Sequence, residues 1–345
     1  MTETMKAAVV TEFKAPLEIQ DLPIPTPGPG EVLIKTLYSG VCHTDLHAAH
    51  GDWPVKPTPP FIPGHEGAGE VVAIGEGVTE LEVGDWAGNA WLWSACGHCE
   101  WCQTGRETLC PSAQYGGYTK NGSFGQYMLV DAKFAPHIPK TVDLAAVAPI
   151  LCAGVTVYKG LKEAEVKPGQ WVLISGVGGL GHIAVQYAVA MGMRVVTVDV
   201  DDAKSELAKK HGAEYAFNAI TEGDDLVAKI KEVTGGGTHG GLVTAVNGKA
   251  FPAAVGALRS GGTVSLVGLP PEAFPLDIFS TVLFGLTVRG SLVGTRKDME
   301  EAIDFFARGL IKPTYKVQPL DEVNDIFDDM EAAKIDGRIV MDMGH

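Results

Sequence analysis

The stretch WVLISGVGGLGHIAVQYAVAMGMRVVTVDVDDAK, Trp171–Lys204, limits what this chain can fold into more than any other. Trp171–Ser175 is a short apolar run of the kind that forms a buried strand. Gly176, Gly178 and Gly181 follow as G-x-G-x-x-G, with Gly179 and Leu180 inside the turn. Apolar residues from His182 to Met191 keep helical spacing, and Arg194–Val198 reads as a second strand leading to Asp199. Strand, glycine turn, helix, strand and acid in that order predict a dinucleotide-binding βαβ unit. The glycines permit a tight turn and the close approach of a pyrophosphate to the helix N-terminus. Asp199 stands 23 residues after Gly176, where a carboxylate accepts hydrogen bonds from ribose hydroxyls and repels a 2′-phosphate. The expected cofactor is therefore NAD+/NADH, with Lys204 either a further ribose contact or an ordinary helix-surface lysine.

The rest of the chain arranges itself around that unit. Its 345 residues suggest two domains at ~100–200 residues each. Up to about residue 150 the sequence is rich in proline and glycine, with short β-like runs such as EVLIKTLYSGV and EGAGEVVAIG. From about residue 153 strands and helices alternate, with further strand candidates at Tyr215–Asn218, Leu242–Val246, Thr263–Val267 and Thr287–Arg289. Such alternation predicts an α/β fold with a doubly wound parallel sheet, whose ligands bind outside the carboxyl ends of the strands. Beyond Gly290 come a charged amphipathic helix, Lys297–Arg308, and a terminal strand in GRIVMDM.

Six cysteines require an explanation. Cys96, Cys99, Cys102 and Cys110 form C-x2-C-x2-C-x7-C. Thiolates at this spacing converge from one loop, and four of them make a closed tetrahedral site that suits a structural zinc. An iron–sulfur cluster is the rival metal, and a disulfide cluster or buried thiols the non-metal reading. His98 lies inside the loop but is not needed as a ligand, because four sulfurs suffice. Cys42 and Cys152 remain, and His65 and Glu66 lie between them in IPGHEGAGEV. Two thiolates and an imidazole make a three-ligand zinc set with one position open for water or substrate. Each of these residues alone is commonly a core residue. The pairing rests on using all six cysteines in two metal sites with different tasks. Asp45 either accepts the second ring proton of His65 or is a solvated turn aspartate. Glu66 is either a carboxylate beside the metal or a surface glutamate.

Composition excludes several classes. A net charge of −15 argues against nucleic acid and anionic membrane surfaces as partners. The N-terminal MTETMKAAVVTEFKAP has no apolar signal core. The longest nearly apolar run, Leu144–Tyr158, contains Pro149 and Gly154 and falls short of the ~20 residues that span a bilayer. The expectation is a cytoplasmic protein without membrane segments.

These residues together resemble the zinc-dependent medium-chain alcohol dehydrogenases, especially the bacterial and yeast tetrameric type. The resemblance runs over essentially the whole chain through C-H-T-D-L-H at Cys42–His47, G-H-E at Gly64–Glu66, the four-cysteine loop, V-G-G-L-G at Val177–Gly181, VGLPP, VRGSLVGTRKD and IDGRIV. It implies a GroES-like β-rich catalytic domain over residues 1–152 and 292–345, a Rossmann domain over 153–291, and a homotetramer. It implies two zinc ions per chain and oxidation of short primary alcohols, with secondary alcohols and polyols as alternatives, or the reverse reduction of aldehydes and ketones. By the resemblance Cys42, His65 and Cys152 hold the catalytic zinc, with Glu66 beside it and Asp45 orienting His65. Thr44 meets the substrate hydroxyl, and His47 passes its proton on. His43 and Arg338 touch the pyrophosphate, and Val267, Ser291 and Val293 lie near the nicotinamide. Trp53, Trp91 and Leu269 line the substrate pocket. Without it Thr44 reads as a helix cap, His47 as a surface histidine and the tryptophans as core aromatics. One stretch departs from the family pattern: after Gly84-Asp85 the family commonly has arginine, an apolar pair around glycine, and proline, whereas this chain has Trp86-Ala87-Gly88-Asn89-Ala90 before Trp91.

Overall fold

The computed structural model describes residues 3–344, and the chain divides into two compact units. The first runs to Cys152 and takes in Gly294–Ala307 and the chain from Pro313 onward; the second comprises Ala153–Val293 and Arg308–Lys312. Sequence pattern had not separated Arg308–Lys312 from the tail. Lys312 joins the second unit because its backbone N–H and C=O both bond the side-chain amide of Gln186, at 2.7 and 3.1 Å. No single described helix is long and apolar enough to cross a membrane.

The second unit is a six-stranded parallel sheet. Its strands lie in the order Tyr215–Asn218, Arg194–Asp199, Trp171–Ser175, Thr238–Val243, Leu258–Leu266, Thr287–Gly290. In chain order this is 3-2-1-4-5-6, the doubly wound Rossmann arrangement. The inner strands read as continuous apolar runs because both faces are covered. Leu173, Val196, Val243 and Val264 form the core with Ile230 and Phe251 from the helices. The fourth strand begins earlier than predicted, at Thr238 rather than Leu242. Its Gly240 and Gly241 are poor strand formers, but a Cβ on Gly240 would lie 2.4 Å from Val166 Cγ2, so close packing selects glycine where propensity argues against a strand. The fifth strand is likewise longer, from Leu258, and carries Gly261 and Gly262 inside it.

The first unit is built on one long strand, Glu31–Val41. It pairs antiparallel with Tyr127–Asp131, Gly67–Ile74 and Arg338–Asp342, and Trp86–Asn89 adds beyond Gly67–Ile74. The register decides what meets at one end of this sheet. Ser39 opposes Gly67, Val41 opposes Ile339, and Gly67 opposes Asn89. Cys42, the pair His65-Glu66, Arg338 and Asn89 therefore emerge side by side, although up to 296 residues separate them, from position 42 to 338. Val32, Ile34, Val71, Met128 and Val130 pack one face of the sheet. Ala7, Phe61, Phe124, Val323, Ile326 and Phe327 are among the residues of a second core cluster.

Candidate metal and cofactor sites

The residues after Val41 turn straight into the helix His43–His50, whose N-cap is Cys42. Thr44 is therefore inside the first turn and not the cap. Asp45, at the third helical position, closes back on the cap: its Oδ2 accepts the Cys42 backbone N–H at 2.9 Å. Its Oδ1 accepts the Gly64 N–H at 3.2 Å and lies 2.8 Å from His65 Nδ1. Asp45 is fully buried, so it is no solvated turn aspartate. A carboxylate held by two backbone donors keeps the remaining His65 proton on Nδ1 and leaves Nε2 free as a metal ligand.

Nε2 points at Cys152 Sγ, 3.2 Å away, where the 3₁₀ turn Ala148–Leu151 ends. The ligand atoms of Cys42, His65, Glu66 and Cys152 all lie within 4.8 Å of one another, and all four residues are buried. A hydrogen bond from the Cys152 thiol holds Cys42 well below the ordinary thiol range despite burial, with help from His65. Cys152 is held well above it, as donor to that thiolate and as a buried group. Burial works against a charged His65, but the Asp45 carboxylate and the Cys42 thiolate outweigh it and raise the imidazole well above its usual value. Thiolate, imidazole and carboxylate converging in a dry site form the donor set that zinc takes.

Glu66 is tied to Arg338, and the pair is almost wholly buried. Burial lifts the Glu66 carboxyl to about 7 even against the guanidinium beside it. Arg338 stays charged, because Glu66 and the two cysteines outweigh its own burial. A Cβ on Gly40 would lie 2.0 Å from Glu66 Oε2, so the glycine in the long strand makes room for this carboxylate. Arg338, ascribed to a pyrophosphate, thus faces the carboxylate beside Cys42 and Cys152 in this conformation.

Thr44 and His47 lie one turn apart on the same helix, with His43 exposed at its start. His47 Nδ1 bonds Asp52 at 2.9 Å, and its ring centroid is 5.7 Å from that of Trp53. Trp91 stands edge-on to His65 at 5.3 Å and to Trp53 at 6.1 Å. Two residues that sequence reasoning missed complete this wall. Tyr115 stacks on Trp91 at 5.1 Å, and Tyr118 packs between Trp53 and Trp91 at 5.8 and 5.3 Å. Nothing in Y-G-G-Y marks them, because they reach Trp91 by strand pairing of Gln114–Tyr115 with Leu92–Ser94. Leu269 belongs to the second unit, where it is 64% exposed.

In the four-cysteine loop the sulfur atoms of Cys96, Cys99, Cys102 and Cys110 also lie within 4.8 Å of one another. Backbone N–H groups of His98 and Cys99 lower Cys96 to about 6, and burial raises Cys102 to about 12. His98 bonds the Cys96 carbonyl at 2.8 Å and adds no ligand to the cluster. Glu107, buried within the loop, takes Arg296 through its backbone N–H and its guanidinium, at 2.8 Å each. This anchor to the tail helix Arg296–Ala307 was not evident from spacing.

The glycine turn sits at the carboxyl end of Trp171–Ser175. Gly176 has φ +95, and a Cβ there would meet Thr244 Oγ1 and Ala245 N at 2.9 Å. A Cβ on Gly181 would lie 1.9 Å from Gly176 O, so the helix packs against the turn itself. A Cβ on Gly178 would meet nothing within 4 Å, which leaves an open approach over Gly179 and Leu180 to the helix N-terminus. Asp199, its side chain 7% exposed, accepts from the N–H groups of Val177 at 2.6 Å, Val200 at 2.8 Å and Asp201 at 3.2 Å. Lys204 Nζ is 4.0 Å from its Oδ1. Val267, Ser291 and Val293 follow the carboxyl ends of the last two strands, and Ser291 Oγ is buried without a partner among the described residues.

Two family models match the chain, an alcohol dehydrogenase GroES-like domain over residues 28–140 and a zinc-binding dehydrogenase over residues 179–308. An alcohol dehydrogenase of Moraxella sp. (strain TAE123) is 57% identical over 98% of this chain and 99% of its own length. The solved alcohol dehydrogenase of the hyperthermophilic archaeon Aeropyrum pernix superposes with a TM-score of 0.87 at 30% identity, covering 98% of this chain and 99% of that one. The acetophenone reductase of Geotrichum candidum, solved in complex with NAD, gives a TM-score of 0.86 at 30% identity, covering 99% and 98%.

Proposed function

Since the chain belongs to the zinc-dependent medium-chain alcohol dehydrogenases, an enzyme family using zinc and a nicotinamide cofactor, we propose that it oxidises short primary alcohols with NAD+ and reduces the corresponding aldehydes. We propose two zinc ions per chain, one held by Cys42, His65 and Cys152 with Glu66 beside them, the other by Cys96, Cys99, Cys102 and Cys110. The observation that carries this reading is the convergence of Cys42, His65, Glu66 and Cys152 from separate segments into one buried site. Zinc at such a site supplies a Lewis acid that lowers the pKa of an alcohol hydroxyl. The nicotinamide supplies the hydride acceptor.

The chain's own residues do the rest. Asp45 keeps His65 in the tautomer that leaves Nε2 available. Arg338 keeps Glu66 paired, which limits the negative charge gathered beside the two thiolates. Thr44 accepts the proton of the substrate hydroxyl as it passes its own on through the cofactor ribose, and His47, one turn further along, delivers a proton to solvent with Asp52 fixing its ring. Trp53 and Trp91, braced by Tyr115 and Tyr118, make a stiff aromatic wall that favours a small apolar substrate over a polyol. Leu269 is assigned to the same pocket by the resemblance alone. In the second unit Gly176, Gly178, Gly179, Leu180 and Gly181 receive the pyrophosphate; His43 is assigned to it by the resemblance alone. The carboxylate of Asp199, already oriented by three backbone donors, favours NAD over NADP.

A homotetramer fits the second unit's free sheet edge, Thr287–Gly290, next to which Ile278, Phe279 and Val282 are each at least 74% exposed. A cytoplasmic setting fits six cysteines of which none is paired in a disulfide. The test is zinc counted per chain alongside NADH formation from NAD+ with ethanol, propanols and a polyol. Two zincs and fastest turnover of ethanol are expected; two zincs with the polyol preferred would sink the substrate assignment, and one or none would sink the two-site reading.

A further inference from the structure

We infer that Asn89 is a positioning residue that sets His65 and Trp91 together, so that the hold on the metal and the shape of the substrate pocket are coupled through one short segment. This rests on the zinc dehydrogenase reading above.

Asn89 ends the strand Trp86–Asn89 and is completely buried. Its Nδ2 donates to the Gly64 carbonyl at 3.3 Å. The opposite amide orientation would set Oδ1 against that carbonyl, two acceptors face to face, so the donor role follows from chemistry. The same carbonyl also accepts the Ser123 N–H at 3.0 Å, and the Gly64 N–H donates to Asp45 at 3.2 Å. The residue just before the metal-binding histidine is thus held at both its polar groups. Gly64 has φ +100, and a residue that lacks a Cβ has the most conformational freedom to lose. Its carbonyl shares a planar peptide with the nitrogen of His65, so fixing that oxygen fixes the direction in which His65 leaves the loop.

The rest of the segment acts on the same imidazole from another side. Trp91, two residues on, accepts the Gly116 N–H at 3.0 Å through its carbonyl and lies edge-on to His65 at 5.3 Å. Gly116 also leaves room for the amide: a Cβ there would fall 2.6 Å from Asn89 Oδ1. That oxygen has no partner among the described residues. A buried orphan acceptor is costly, and an apolar side chain would fill this place without that cost. What the amide contributes is the donor to Gly64.

Asn89→Leu keeps the approximate volume and removes the donor; Asn89→Ala removes both. Zinc release from the purified full chain to excess EDTA, followed with a chromogenic chelator, separates the roles, with the four-cysteine zinc as internal reference and Tm as a check on folding. If Asn89 acts by positioning, both variants should lose the Cys42–His65–Cys152 zinc about tenfold faster or more, in the range seen for groups that orient metal ligands, with the reference zinc unchanged. Both should also raise KM for ethanol more than they lower kcat, because Gly116, which holds the Trp91 carbonyl, loses the amide packed against it. Wild-type release in Asn89→Leu, with only Asn89→Ala affected, would show that volume alone matters and overturn the inference. So would loss of both zincs and of the folded state in both variants. A wild-type chain that binds no zinc through Cys42, His65 and Cys152 would instead bring down the dehydrogenase reading on which the inference rests.

Discussion

The two sulfur clusters of the first unit use the same chemistry and are built in opposite ways. Cys96, Cys99, Cys102 and Cys110 come from one fifteen-residue loop, are partly exposed except for Cys110, and are oriented by the loop's own backbone, as where the Cys99 N–H meets Cys96 Sγ at 3.3 Å. Cys42, His65 and Cys152 come from three places in the chain and are all buried; sheet register brings Cys42 and His65 together, Asp45 aims His65, and Cys152 enters from the end of the turn Ala148–Leu151. A donor set complete within a loop needs little else: around it lie the anchor of Glu107 to Arg296 and an apolar packing of Leu92, Ala113 and Phe134. A donor set drawn from separate segments brings its neighbours with it: an oriented carboxylate, a buried ion pair and an aromatic wall. The first arrangement suits a site proposed to hold a fold together. The second leaves a place at which other groups can be tuned.

The sharpest way to break the comparison is Cys42→Ser. It should remove the zinc of the strand-built site and, at several kcal/mol for a Lewis acid, lower kcat/KM by ~10³-fold or more while the loop keeps its zinc. Metal analysis alongside steady-state kinetics reads both, and loss of zinc from both sites together would mean that the two are not independent. Cys110→Ser should do the converse, releasing the loop zinc and lowering Tm by on the order of 10 °C with activity retained well below that temperature. A variant that loses turnover in proportion to its loop zinc would argue against a purely structural role. Asp45→Asn sharpens the contrast, because among the described residues a carboxylate on a ligand side chain is found at the strand-built site and not at the loop. Its zinc affinity should fall ~10–100-fold, measured by competition with a chelator, and an unchanged affinity would leave His65 without its orienting group.

Trp91→Ala tests the wall that stands against His65. It should shift preference toward bulkier alcohols, by ~10-fold in relative kcat/KM for a branched substrate over ethanol. The smallest effect is expected for His98→Ala: the zinc count should stay the same, since His98 bonds only the Cys96 carbonyl. A lost zinc there would make the histidine part of the loop site after all.

How much of this was legible beforehand follows from the range of the interactions involved. The four-cysteine loop and the glycine turn with Asp199 are local: their donors, turns and periods lie within a few dozen consecutive residues, and spacing alone describes them. The alternation of strands and helices after residue 153 is local in the same sense, and it carried the parallel sheet. It failed where glycine masked a strand, at Thr238–Val243, because the tight approach of Val166 to Gly240 comes from another part of the chain. For Cys42, His65 and Cys152 the residue types suggested one site, but only the pairing of Ser39 with Gly67 and of Val41 with Ile339 brings Cys42, the His65-Glu66 pair and Arg338 into it. The burial of Asp45, the pairing of Glu66 with Arg338, the tyrosines behind Trp91 and the hold of Asn89 on Gly64 belong to the same group. The sequence by itself determined which chemistry the chain carries, since donor types, loop spacing and helical or strand period are properties of neighbouring residues. Tertiary structure alone decided which donors meet, how each is aimed and what surrounds them, since strand register and burial are set by contacts between residues far apart in the chain.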